Sequence, residues 1–278
     1  MRTPETVSPV YRARSAGNRF VDTRLFELLS RAGFVARGLV YALIGFLALD
    51  LATGHGGKIT NQQGAMKTVE HQPLGHLLLA LLAVGLGGYA LWRLFRAALG
   101  HGPEGADRGV ERLGALGSGL AYAAMCAIAV QLLMSGSSAS SGNTKQTASG
   151  VFSWPAGRWI VLVAGLVLLA VAVYQFIRGI TKKFLDDDKT EKMGATTKRW
   201  ITWAGVVGHI ARAVVFALVG VFLVRAAIDY KANEAIGVDG ALAKLYDRVY
   251  GPWLLGAVAA GLLLFGIFSI AEARYRRI

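Results

Sequence analysis

Arg37, Ser118 and Arg212 are polar side chains set into apolar blocks, each four residues ahead of a recurring aromatic, Tyr41, Tyr122 and Phe216. Two guanidiniums and a hydroxyl at one depth would make a ring for anions, because arginine presents a planar fork of N–H donors to phosphate or carboxylate oxygens. A charge at the bilayer centre costs about 2.5–3.5 kcal/mol, and much less near an interface. These positions lie close to the cytoplasmic ends of their blocks, so two readings stand. The arginines either snorkel separately to headgroups, or form a cytoplasm-facing ring that holds an anionic lipid or another anion and needs Arg37 and Arg212 together.

A second polar layer follows nine residues after each aromatic: Asp50, Gln131 and Arg225. At one depth near the outer face, Asp50 and Arg225 could pair, because a paired charge escapes the cost of desolvation that an isolated one carries. Independent snorkelling to the outer headgroups is the alternative. His55, His71 and His76 surround one loop, but their spacing does not recur and only Glu70 accompanies them, so a solvated loop is expected rather than a metal site. His209, one turn before Arg212, reads as a packed or interfacial histidine. The sequence has no phosphate-binding glycine loop, no His-Glu-x-x-His and no Gly-x-Ser-x-Gly turn. No catalytic residue, cofactor or metal is expected, and the reading is a non-enzyme.

The elements that position these residues repeat. Gly75 precedes Trp92, Gly157 precedes Tyr174 and Gly251 precedes Phe268 by the same 17 residues, with Pro73, Pro155 or Pro252 beside each glycine. At 1.5 Å per residue that is roughly 25 Å, close to the thickness of a bilayer's hydrocarbon core. Of 278 residues 54% are hydrophobic, and they fall in blocks rather than at amphipathic spacing. Six spans are predicted, at about 33–52, 74–95, 113–134, 157–180, 203–227 and 252–272. They make three two-helix repeats, a triplication supported by several marks in near-constant register. Each repeat has an even number of spans, so all three share one orientation, and any symmetry axis runs along the membrane normal. The fold class is all-α integral membrane: six transmembrane helices as three parallel two-helix repeats in a pseudo-threefold bundle.

A stripe of small residues recurs on the first helix of each repeat: Gly38, Ala42 and Gly45; Gly119, Ala123 and Cys126; Ala213, Ala217 and Gly220. The i, i+4, i+7 spacing puts each set on one face, which suits close helix contact; a thin pore wall is the alternative. The net charge of +13 resides in Lys and Arg at the ends of the apolar blocks, a membrane-orienting pattern and not a nucleic-acid footprint. Segments on one side hold 21 of these residues and those on the other hold 8, which places both termini in the cytoplasm. Cys126 is the one cysteine, so no disulfide framework is possible. No cleaved signal peptide is visible, and the first span is expected to act as its own insertion signal. All six prolines lie outside span centres and no acid sits at mid-span, which argues against broken-helix or proton-coupled carriers.

Along the chain, residues 1–29 read as a basic cytoplasmic tail, with 1–18 disordered and an amphipathic surface helix over 19–30. Repeat 1 covers 30–100, repeat 2 covers 112–183 and repeat 3 covers 200–278, with 184–199 a solvated, mixed-charge cytoplasmic linker. The stretches 64–71 and 240–249 are expected as surface helices at the outer interface.

The run Ala32-Gly33-Phe34-Val35-Ala36-Arg37-Gly38-Leu39-Val40-Tyr41, followed by Gln72-Pro73-Leu74-Gly75, resembles the bacterial membrane family known as domain of unknown function 1206. The resemblance covers about residues 30–276 and is best in the first repeat. The second departs at Ser118, the third at Ala213 and Phe216. It implies the six-span fold and a bacterial inner membrane, and no activity. The expected function is a non-enzymatic structural or interaction protein whose partners are the bilayer and anionic lipid, with a protein partner or a second copy left open. The rival reading is a channel or passive transporter along the pseudo-threefold axis, and a membrane enzyme is a distant third. Bulky apolar side chains on that axis favour the first, and a continuous polar lining the second.

Overall fold

The computed structural model describes residues 24–99, 109–135 and 144–276. The expected disordered tail, 1–18, and the start of the expected surface helix, 19–23, lie outside them. Six long helices can cross a membrane: α1 (Arg24–Ala52), α3 (Gly75–Leu99), α4 (Gly109–Ser135), α6 (Gly157–Ile180), α7 (Ala195–Ile228) and α9 (Gly251–Tyr275). A helix satisfies every backbone polar group internally, as apolar sequence in a bilayer requires. Three short helices link the members of each repeat: α2 (Gln62–Glu70), α5 (Thr144–Phe152) and α8 (Val238–Tyr246). Residues 24–30 form no separate surface helix; they are the first two turns of α1, because nothing between Arg24 and Ala52 breaks the helix.

The recurring glycines have a steric cause. A Cβ at Gly75, Gly157 or Gly251 would run into the carbonyl oxygen of Glu70, Val151 or Tyr246, the closing turn of the preceding short helix. The chain turns back on itself there, and only glycine permits the approach.

The six spans pack as a ring in chain order, α1 on α3, α3 on α4, α6 on α7, α7 on α9 and α9 back on α1. The contacts between repeats are equivalent. A Cβ at Gly45 of α1 would lie 2.7 Å from the Ala259 carbonyl oxygen of α9. Gly220 of α7 faces Gly165 of α6 at 3.0 Å in the same sense. On α4 the Cys126 thiol donates to the Ala83 carbonyl of α3 (3.3 Å). The small-residue stripe therefore lies where one repeat meets the next, with Gly38 and Ala42 against Gly266 and Gly119 against Leu94.

The contacts within repeats are not equivalent. Gly33 of α1 meets Tyr89 of α3, and the matching Gly208 of α7 meets Phe265 of α9. The matching glycine of the second repeat, Gly114, has nothing within 4 Å of its would-be Cβ, and neither has Gly117. Its helices α4 and α6 share no extended contact, so the ring is open along that edge. On α6 the places of Gly85 and Tyr89 are taken by Val167 and Val171, which supply neither the small surface nor the ring that closes the other two repeats.

Two expectations about loops are corrected. Residues 184–199 are not a solvated linker: two 3-10 turns, Lys183–Asp187 and Thr190–Lys192, fold across the end of the bundle between α6 and α7, and Phe184, Asp187 and Asp188 are buried. The Lys189 N–H donates to the Tyr275 carbonyl (2.7 Å), pairing this segment with the end of α9. The short helices α2 and α8 do not merely rest on the outer surface, because Ala65, Met66, Ala241 and Leu242 enter the main core.

Candidate functional site

The predicted ring of Arg37, Ser118 and Arg212 does not form. Arg37 is buried and bonded within the protein: Nε donates to Ser269 Oγ (2.8 Å), Nη1 to the Tyr89 hydroxyl (2.6 Å) and Nη2 to Glu272. Ser269 in turn donates to the Phe34 carbonyl (2.8 Å). The guanidinium carbon stands 5.0 Å from the ring centres of both Phe34 and Tyr89, so it is also held by aromatic faces. Ser118 donates back to Gly114 and Ala115 of its own helix (2.9 and 3.0 Å). Arg212 lies among aromatic rings, 4.3 Å from Phe265, 5.0 Å from Tyr41 and 5.1 Å from Phe216.

Arg37 begins a chain of charges that sequence reasoning missed. Glu272 accepts from Arg37 and from Arg276 (2.8 Å); Asp187 accepts from Arg276 and from Arg178. The chain joins α1, α9, the folded linker and α6 at the end of the bundle where α6 and α9 finish. Buried ions are tolerated only with such mutual pairing. One signal pointed there: Glu272 and Asp50 are the only acids in the six predicted spans. Phe184 seals the assembly, stacking on His209 at 4.9 Å and meeting Phe268 edge-on at 5.1 Å. His209 donates through Nδ1 to the Gly205 carbonyl (2.7 Å) and is a packed side chain.

Asp188 lies beside this network with 1% of its surface exposed and Arg276 Nη1 at 3.9 Å. Burial pushes its carboxyl up to about 8, with Glu272 and Asp187 adding to the rise and Arg276 opposing it. A carboxyl raised in the folded state holds its proton where the unfolded chain has lost it. Its contribution to stability is full below the unfolded value of about 3.9 and fades as pH climbs to the folded one. Thermal stability in detergent is therefore expected to fall between about pH 4 and pH 8, and Asp188→Asn to flatten that slope. An unchanged slope in the variant would exclude Asp188 as its source.

In the outer layer the Asp50–Arg225 pair is not seen: among the described residues the two form no ion pair, and both Gln131 and Arg225 are exposed. Nine residues are two and a half helical turns, about 180° around the helix. Side chains nine places beyond the inward-facing Tyr41, Tyr122 and Phe216 must point away from the ring's interior, where they cannot meet. His55, His71 and His76 are exposed, and His55 Nδ1 lies 2.9 Å from the Thr53 hydroxyl.

Compared with known families, the chain matches the Domain of Unknown Function DUF1206 three times, over residues 32–100, 113–182 and 207–276. The chain belongs to the DUF1206 family. It is also similar to the uncharacterised protein YxxB of Bacillus subtilis (strain 168), with 32% identity over 251 residues, covering 88% of this chain and 90% of YxxB. No solved structure matches it. The three DUF1206 matches coincide with the three helix pairs, so the family unit is α1 with α3, α4 with α6, or α7 with α9. In the second of these DUF1206 units the two spans stand apart, although the match covers both. The protein is thus a multi-pass membrane protein built from three copies of the family unit, with a bacterial relative.

Proposed function

We propose that the protein is a non-enzymatic structural or interaction protein of the bacterial cell membrane, with both termini in the cytoplasm and anionic lipid at its cytoplasmic rim. The filling of the ring's interior carries this reading. Tyr41, Tyr89, Tyr122 and Phe265 are buried there against one another and against Arg37 and Arg212, in place of the continuous polar lining that a conducting path needs. The excess of Lys and Arg on one side supports the orientation. Because Arg37 is engaged internally, lipid contact shifts to the exposed Lys182, Lys183, Lys192, Lys198, Arg199 and Arg274, beside the exposed Trp200 and Trp203. Such a mixture suits a headgroup layer, where cations meet phosphate and indole rings sit at the interface. Acyl chains cover the open edge between α4 and α6.

Flux through liposomes containing the purified protein tests the reading, with mass spectrometry of the lipids that co-purify. Potassium and small-solute flux are expected to equal those of protein-free liposomes, with anionic phospholipid enriched over its share in the host membrane. Flux above that background would favour a channel, and absence of lipid enrichment would remove the rim from the proposal.

A further inference from the structure

The unfilled face of α4 carries smaller side chains than the matching faces that are filled. On α1 and α7 that face packs against the second span of its own repeat: Gly85 meets Ala36 and Gly261 meets Ala211, beside the contacts at Gly33 and Gly208. At the matching places the second repeat has Gly117 for Ala36 and Ala211, Ala121 for Val40 and Val215, and Ala124 for Leu43 and Leu218. Gly114, Gly117, Ala121 and Ala124 are all exposed, and a Cβ added at either glycine has nothing within 4 Å. Acyl chains give no reason for such a face, since they cover a bulky helix as readily as a bare one. A helical glycine with nothing against it is less stable than alanine. Small residues gain when another helix comes close enough to touch the backbone they bare.

Gln131 completes the face. The steps from Gly114 through Gly117, Ala121, Ala124 and the half-buried Ile128 to Gln131 alternate between three and four residues, the spacing that keeps side chains on a seam between two helices. Gln131 lies one turn inside the end of the span, exposed, with no hydrogen-bond partner among the described residues. At the matching places stand Asp50 and Arg225, whose charges repel their own kind. The Gln131 amide both donates and accepts, so it satisfies an identical amide placed opposite. The face is self-complementary: small against small along the span, amide against amide near its end.

We propose that this face of α4 is the contact for a second copy of the chain, in a parallel α4–α4 pair about a two-fold axis along the membrane normal. Identical chains insert in one sense, so such an axis sets equal residues opposite each other and closes the assembly as a dimer. Gly114 and Gly117 let the backbones approach, and the two Gln131 amides bond across the axis. The second copy takes the place of acyl chains along α4 and leaves them on α6. The contact does not depend on lipid at the rim, so its failure and that of the lipid reading are separate results.

Cysteine cross-linking of the full chain in the membrane of an expressing bacterium tests the contact. Cys126→Ala first removes the natural thiol, and Ala121→Cys then puts one thiol on the seam. A disulfide forms there only if the facing Cα atoms lie within about 7 Å. Oxidation by copper phenanthroline is expected to convert most of the chain to a disulfide dimer, and Leu116→Cys, exposed on another side of α4, to give severalfold less. Adding Gly117→Leu to the Ala121→Cys chain, at a place with room for a side chain in the single copy, is expected to cut the dimer severalfold. A monomer at Ala121→Cys overturns the proposal, as do equal yields from Ala121→Cys and Leu116→Cys or a yield that Gly117→Leu leaves unchanged. Should Ala121→Cys fail to reach the membrane, Ala124→Cys takes its place with the same expected outcomes.

Discussion

Glu272→Ala is expected to lower folding stability by about 3–5 kcal/mol, the cost of breaking a buried ion pair from one side. Glu272 is the carboxylate between Arg37 and Arg276, and all three side chains are almost fully buried. Its removal leaves Arg37 with the Tyr89 and Ser269 oxygens alone, and Arg276 with Asp187 and Asp188. Neither guanidinium can neutralise itself by releasing a proton. Denaturant unfolding in mixed micelles measures the loss. The double variant Arg37→Met with Glu272→Leu is expected to recover much of it, because replacing both partners by apolar side chains removes the need for a counter-charge. Costs that simply add in the double variant would show that the pair is not what holds α1 to α9.

Gly33→Ala is expected to destabilise the protein by about 1–3 kcal/mol, the range for overpacking, and Gly114→Ala at the matching place in the second repeat to be neutral or mildly stabilising. A Cβ at Gly33 would lie 2.5 Å from Tyr89 Cβ and 2.8 Å from the Gly85 carbonyl oxygen, so backbone must shift to admit it. At Gly114 nothing lies within 4 Å, and alanine removes the entropic penalty of a helical glycine. Unfolding of the two variants in the same detergent compares them directly. Equal costs would mean that α4 and α6 close against each other in the membrane as the other pairs do.

Much of the fold was legible because its signals are local. Spans follow from the length of apolar blocks, and repeats follow from Gly75, Gly157 and Gly251 in register. The stripe of Gly38, Ala42 and Gly45 marked a helix contact by spacing alone, though not which helix it meets. The failure of the Asp50 and Arg225 pair was also legible, since nine residues turn a side chain to the opposite face; depth was matched and direction was not. The linker was misread because mixed charge looks solvated when its partners are unknown. Asp187 and Asp188 are buried because Arg178 and Arg276 reach them, and Arg276 lies 89 residues from Asp187 in the chain.

The open edge could have been suspected from Val167 and Val171 in the places of Gly85 and Tyr89, but whether a missing aromatic opens a seam depends on how the neighbouring repeats hold α4 and α6. The sequence by itself determined the number of spans, their threefold repetition and the small faces through which repeats meet. These rest on hydropathy and helical periodicity, which act over a few turns. Only the tertiary structure decided that Arg37 is neutralised by Glu272, that Arg212 meets no acidic partner among the described residues and that the second repeat stands open. Each of those depends on which side chains arrive from distant segments, and pairing between charges follows distance in space, not spacing along the chain.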